Sequence, residues 1–161
     1  MKIIRILNNN LELYISMVLI TVMTLLIFVQ VIMRYVFQAS LSWSEELARY
    51  IFIWLIYISI SQGAQIMKHI KIEAALGLYP KKMRPFIVIL GDLLFLMFAA
   101  FVAYVAWNSV VVRQMALGQV SPALGIPLWM VYAAPAVGLA LTSIRQVQTI
   151  LYRFKQLGKE E

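Results

Sequence analysis

The stretch SWSEELARYIFIWLIYISI, residues 42–60, sets two adjacent glutamates and an arginine at the mouth of a strongly apolar segment. After Arg49 no Asp, Glu, Lys or Arg appears until Lys68. A run of that length reaches across a hydrocarbon core of roughly 30 Å, which takes about 20 helical residues. Three other runs of similar character occur, so the candidate spans are residues 11–33, 47–67, 86–107 and 128–151. The chain of 161 residues is 63% hydrophobic with mean hydropathy +0.85, far outside the range of a soluble domain. The fold class that follows is an all-α integral membrane protein with four transmembrane helices and short interfacial segments. No polar stretch is long enough for a separate soluble unit, so residues 1–161 read as a single membrane domain.

The first run follows Lys2 and Arg5 and in that respect resembles a signal peptide. Its apolar stretch is longer than a signal h-region and no A-x-A-like site follows, so it reads as an uncleaved first span. Lys and Arg in short flanks set orientation, because positive loops are retained on the cytoplasmic side. Lys2, Arg5, Lys68, Lys71, Lys81, Lys82, Arg84, Arg145, Arg153, Lys155 and Lys159 lie on one side of the four spans, against Arg34, Arg49 and Arg113 on the other. Both termini and the basic loop are therefore expected inside. Tyr35, Trp43, Tyr50, Tyr104, Trp107, Trp129 and Tyr132 fall near the expected outer interface, where amphipathic rings concentrate. The net charge of +7 sits in short clusters flanking the apolar runs, which suits membrane lipid and topology rather than nucleic acid.

Residues 42–50 then lie at the outer start of the second span. Ser42 and Glu45 have the spacing of a capping box, in which each side chain satisfies a free backbone donor at the helix start. Glutamates suit the positive end of the helix dipole, and Glu45 with Arg49 forms an i,i+4 pair in the favoured order. Two readings of these charges stand. One is purely local; the other, prompted by the surplus Glu46 and by Arg34 across the hairpin, is an interhelical or intersubunit ion-pair cluster.

Ionisable groups inside spans are costly and so have a reason. Asp92 lies six residues into the third span, and Arg145 lies about as deep in the fourth, which makes an Asp92–Arg145 pair the first expectation. Glu12, at the start of the first span, is expected at the interface. Small residues four apart, Ala99 with Ala103 and Ala134 with Gly138, suit close helix approach in lipid, and Pro135 interrupts the fourth span. In the outer connection NSVVVRQMALGQVSPALGIP, residues 108–127, Gly118 is placed to end a short interfacial helix.

Catalytic and cofactor constellations do not emerge. There is no cysteine, and the single His69 in the basic loop leaves no bis-histidine haem ligation within one chain. No H-E-x-x-H, Walker A or G-x-S-x-G pattern occurs, so neither an enzyme nor a cofactor is expected.

RYVF at residues 34–37, SWSEELARYIFIWL at 42–55, GAQIMKHIKI at 63–72 and SPALGIPLW at 121–129 occur in an order and spacing similar to one family. Across nearly the whole chain, the pattern resembles the small membrane subunit of tripartite ATP-independent periplasmic (TRAP) transporters, the DctQ-like proteins. The resemblance implies a non-enzymatic subunit of the bacterial inner membrane. It also implies two partners, a large membrane subunit that carries the substrate and sodium sites and a periplasmic substrate-binding protein. The small subunit would then be a scaffold, with Arg34, Ser42, Trp43, Glu45, Glu46, Arg49, Asp92 and Arg145 as structural or partner-contact candidates. Organic acids are the implied cargo, C4-dicarboxylates or sialic acids, with overall similarity leaning to sialic acid. Two rivals come from other classes: a self-contained four-helix exporter, which would need a mid-membrane glutamate, and the membrane anchor of an electron-transfer complex, which would need histidines in its spans.

Overall fold

A computed structural model gives the fold and describes residues 2–66, 80 and 83–157. Lys68, Lys71, Lys81, Lys82, Lys159, His69 and the end of the GAQIMKHIKI motif lie outside the described residues. The chain runs as helix α1 (Lys2–Tyr35), α2 (Ser42–Ile66), α3 (Arg84–Val105), a π-helical segment (Ala106–Val111), α4 (Val112–Leu117) and α5 (Trp129–Leu157). Among the described residues the only β geometry is an isolated bridge between Val120 and Pro127.

Three stretches, Leu11–Tyr35, Ser42–Ala64 and Phe86–Leu117, are long and apolar enough to cross a membrane. The fourth long helix, α5, has 29 residues but carries Thr142, Ser143, Arg145, Gln146 and Gln148 in its second half. Three of those groups lie inside the bundle: Thr142 and Gln146 are fully buried and Arg145 nearly so. The helix that looks least like a lipid-facing span is thus the one placed inside the bundle. α2 packs on α1 and on α5, and α5 packs on α3 and the π segment. α1 touches only α2 closely among the described helices. Its outer surface, with Val18, Leu25 and Phe28 exposed, is a continuous apolar face.

The contact between α2 and α5 is close enough to require a residue without a side chain. A Cβ on Gly138 would lie 2.6 Å from the Tyr57 Cβ and 2.6 Å from its carbonyl oxygen. With Ala134 and Thr142, both fully buried, Gly138 completes a small-residue seam repeating every four positions. α3 presents Asp92 and Ala99, and the π segment Ala106, seven apart and all buried, to the same helix. Ala103 is only half-buried, so on the third span Ala99 is the member of the expected small pair that fills the tight position.

The third span does not end where the aromatic belt suggested. It continues through the π segment into α4, so the expected separate interfacial helix is instead a prolongation of the span, ended by Gly118 at φ 60°. The π spacing has a packing cause. Hydrogen bonds from i to i+5 bring Ala106 and Val111 to one side, where both bury against Ala133, Ala136, Trp54 and Trp129. α-Helical spacing would turn these two residues away from one another.

The seam at Gly138 gives a clear expectation. Gly138→Ala overpacks a backbone contact and should destabilise the detergent-purified protein by about 1–3 kcal/mol. Gly63→Ala, in a helix where the added Cβ meets nothing within 4 Å, should be neutral or stabilising. Thermal unfolding of both variants checks the α2–α5 register, and equal effects would contradict it.

Candidate functional site

The buried ionisable side chains of the described helices gather in two clusters, one at each end of the bundle. The first is built around Glu46 in α2. One turn on, Tyr50 donates its hydroxyl to Glu46 Oε1. The backbone N–H groups of Ala123 and Leu124 both donate to Glu46 Oε2, at 2.9 and 3.1 Å. They can do so because residues 119–128 close into a tight turn. Ser121 N–H donates to the Ile126 carbonyl at 2.9 Å, Leu128 N–H to the Gln119 carbonyl at 2.9 Å, and Gly125 takes φ +67°, a left-handed conformation natural to glycine. The turn exposes two successive N–H groups on one side, and the carboxylate fills that concavity. Glu46 therefore ties the start of α2 to the loop that leads into α5.

Its neighbour Glu45 is used differently. Gln30 Nε2 of α1 donates to Glu45 Oε1 at 2.7 Å, joining α1 to α2 across the hairpin. The expected Glu45–Arg49 pair is not formed: the carboxylate points to α1 and Arg49 stays exposed. The capping box is also absent, because the helix already includes Ser42. Ser44 lies at the first turn instead, its N–H and hydroxyl both donating to the Leu41 carbonyl at 3.1 and 2.8 Å. Arg34 is exposed in the last turn of α1, where a cation suits the helix dipole, and Trp43 is exposed at the same end.

The second cluster occupies the opposite end. Arg145 of α5 holds Glu12 of α1 in a two-pronged contact, Nε to Oε1 at 2.7 Å and Nη2 to Oε2 at 3.0 Å, and its Nη1 donates to Gln148 at 3.1 Å. Glu12 and Arg145 are both buried, so Glu12 is an interior residue of the bundle. Removing one member of such a pair costs about 3–5 kcal/mol, since the other is left buried and charged. Asp92 of α3 is fully buried and accepts Gln146 Nε2 at 3.0 Å, with Arg153 Nε 3.2 Å from its other oxygen.

The expected Asp92–Arg145 pair thus resolves into two separate links. Adjacent positions on a helix point about 100° apart, so neighbours on α5 reach different helices. Gln146 faces α3 while Arg145 faces α1. Gln146 and Gln30 were not singled out from sequence, and Arg153 and Tyr50 were read only as a flanking charge and a belt aromatic. Gln146 had a usable signal, an amide deep in an apolar run, whereas the Glu46 partners are backbone groups more than seventy residues away. Among the described residues no three His, Cys, Asp or Glu side chains converge as metal ligands would.

Comparison with known proteins adds a further finding. The family described as tripartite ATP-independent periplasmic transporters, DctQ component, matches residues 23–156. A putative TRAP transporter small permease protein of Haemophilus influenzae is 28% identical over 137 residues, covering 85% of this chain and 81% of that relative. The C4-dicarboxylate TRAP transporter small permease protein DctQ of Rhodobacter capsulatus is 27% identical over 120 residues, 74% of this chain and 52% of that protein. The isethionate TRAP transporter permease protein DctMQ of Oleidesulfovibrio alaskensis is 29% identical over 122 residues, again 74% of this chain. The match spans only 19% of that longer relative.

The Glu46 clamp is directly testable by amide hydrogen exchange. Glu46→Ala frees the N–H groups of Ala123 and Leu124 and should speed exchange across residues 121–126 by about tenfold or more, while Glu46→Gln, which keeps an acceptor oxygen, should have a smaller effect. Unchanged exchange in Glu46→Ala would show that the turn stands without the carboxylate.

Proposed function

The chain belongs to the DctQ component family of tripartite ATP-independent periplasmic transporters, and from that premise we propose that it is the fixed membrane scaffold against which a large transport subunit works. It is a membrane-embedded small permease subunit, not an enzyme. The observation that carries the scaffold reading is the use made of the polar side chains within the helices. Glu12, Glu46, Asp92, Arg145 and Gln146 are all buried and joined to other parts of this chain, at the two ends of the bundle. Charges spent in this way hold helices in place. A carrier's own site would instead gather polar groups near the midplane, around broken helices.

In this reading the four long helices all span the bacterial inner membrane and residues 1–161 act as one membrane body. Both termini face the cytoplasm, in keeping with the excess of Lys and Arg at that end. α5 qualifies as a span despite Arg145 and Gln146 because these are satisfied by α1 and α3 rather than presented to lipid. The partners are the large membrane subunit, which carries substrate and sodium, and a periplasmic binding protein that delivers organic-acid anions. Longer relatives such as the DctMQ protein, of which this chain matches one part, support a partnership with a large subunit. The names of the relatives include isethionate, C4-dicarboxylate and sialic acid permeases, at 29%, 27% and 32% identity over 74%, 74% and 48% of this chain, so identity and coverage together rank no one organic acid above the others.

Orientation is tested by reporter fusions. Fusions after Lys82 and after Lys159 should be active only as cytoplasmic reporters, and one at Gly118 only as an exported reporter; an exported signal after Lys82 would overturn the topology. Function is tested in liposomes. Purified chain alone should give no sodium-driven uptake of organic acids, and uptake should appear only when the large subunit and loaded binding protein are added. Uptake by the chain alone would contradict the scaffold role.

A further inference from the structure

Among the described residues, the stretches apolar enough to cross a membrane by composition lie in α1, in α2 and in α3 with its prolongation, and none lies in α5. α5 carries Pro135 in its first half and Arg145, Gln146 and Gln148 in its second. Arg145 comes sixteen residues after Trp129, roughly 24 Å along the axis at 1.5 Å per residue, and so short of the far edge of a core of roughly 30 Å. A charged side chain at that depth disfavours entry into hydrocarbon unless a partner receives it. By itself the helix is poorly equipped to enter the bilayer.

The groups that receive it precede it in the chain. Glu12 of α1 takes Arg145 in the two-pronged contact, and Asp92 of α3 takes Gln146 Nε2 at 3.0 Å and Arg153 Nε at 3.2 Å. The stretches Leu11–Tyr35 and Phe86–Leu117 contain these two acids and are still apolar enough to cross, so α1 and α3 can bring them into the membrane unaided. Close packing does not account for Glu12. α1 and α5 make no close approach along their lengths, and the acid reaches Arg145 across that separation. Its position serves the needs of α5 rather than those of α1.

We propose that α5 is an assisted span: α1 and α3 enter the membrane first, and Glu12 and Asp92 are the acceptors that draw Arg145, Gln146 and Arg153 in after them. Without the two acids, α5 and the C-terminus stay on the outer side, where the connection leading into α5 already lies. The bundle thereby carries a checkpoint in its own assembly, since its central helix is admitted only to a chain whose first and third spans are in place. The proposal rests on the four-span reading with both termini inside and adds how the fourth span is reached.

The test uses the full chain in a bacterial inner membrane, fused after Lys159 to a reporter active only in the cytoplasm or to one active only when exported. Each activity is divided by the amount of fusion protein present, so a lower yield does not alter the readout. Wild type should give the cytoplasmic signal. Glu12→Ala combined with Asp92→Ala should raise the ratio of exported to cytoplasmic activity by about tenfold or more, with each single variant in between. Adding Arg145→Leu and Gln146→Leu to that chain removes the need for acceptors and should return the signal to the cytoplasm, which a general loss of folding would not do. A cytoplasmic signal from the chain with Glu12→Ala and Asp92→Ala would overturn the proposal and leave the four-span reading intact. An exported signal that persists with Arg145→Leu and Gln146→Leu would overturn it as well. An exported signal after Lys159 in the wild type would sink the four-span reading and this inference together.

Discussion

A helix carrying Arg145 and Gln146 can lie in hydrocarbon only if other helices satisfy those groups, because lipid offers no hydrogen bonds. That constraint arranges the bundle. α5 is placed between α2 and α3; Glu12 reaches it from α1, and Asp92 meets it from α3. α1 and α5 do not pack closely, so the Glu12–Arg145 contact ties together two helices that are otherwise joined only through α2. At the other end Glu46 does the corresponding work for a loop, giving two backbone N–H groups an acceptor and fixing how the chain enters α5.

The division of labour among residue types follows from this. Small residues, Ala134, Gly138 and Ala99, allow helices to approach until backbone meets side chain, and buried polar residues set which helix faces which. Large apolar residues are displaced to the outside, where lipid or another protein receives them. The result is a bundle with polar locks inside and an apolar coat, which is what a stationary wall in a membrane needs.

Much of this was legible in the sequence. The apolar runs marked out the four long helices, but not their ends: α1 begins at Lys2 rather than at residue 11, and the third apolar helix continues to Leu117 rather than stopping at 107. The importance of Glu46, Asp92 and Arg145 was also visible, as charges where charges are costly. Their partners were not. Position along a helix is one coordinate and rotation about its axis is another; the sequence reading paired Asp92 with Arg145 by position alone and missed the 100° step that separates Arg145 from Gln146. The acceptor role of Glu46 toward residues 123 and 124 was hidden because backbone groups carry no sequence signature. The extension of the third span through Ala106–Val111 was missed for a related reason: a π spacing serves local packing of Ala106 and Val111 and leaves no composition cue.

The central claim is that these locks keep the chain a rigid wall while its partner moves. The protein contains no cysteine, so pairs can be introduced cleanly for spin labelling. Labels at the exposed positions Val18 on α1 and Ile144 on α5 report the separation of the two helices joined by Glu12 and Arg145. Pulsed electron–electron resonance on the assembled transporter should give one distance population, the same with and without sodium, substrate and loaded binding protein. A second population, or a shift on adding substrate and sodium, would mean that the bundle itself changes shape during transport and would contradict the account.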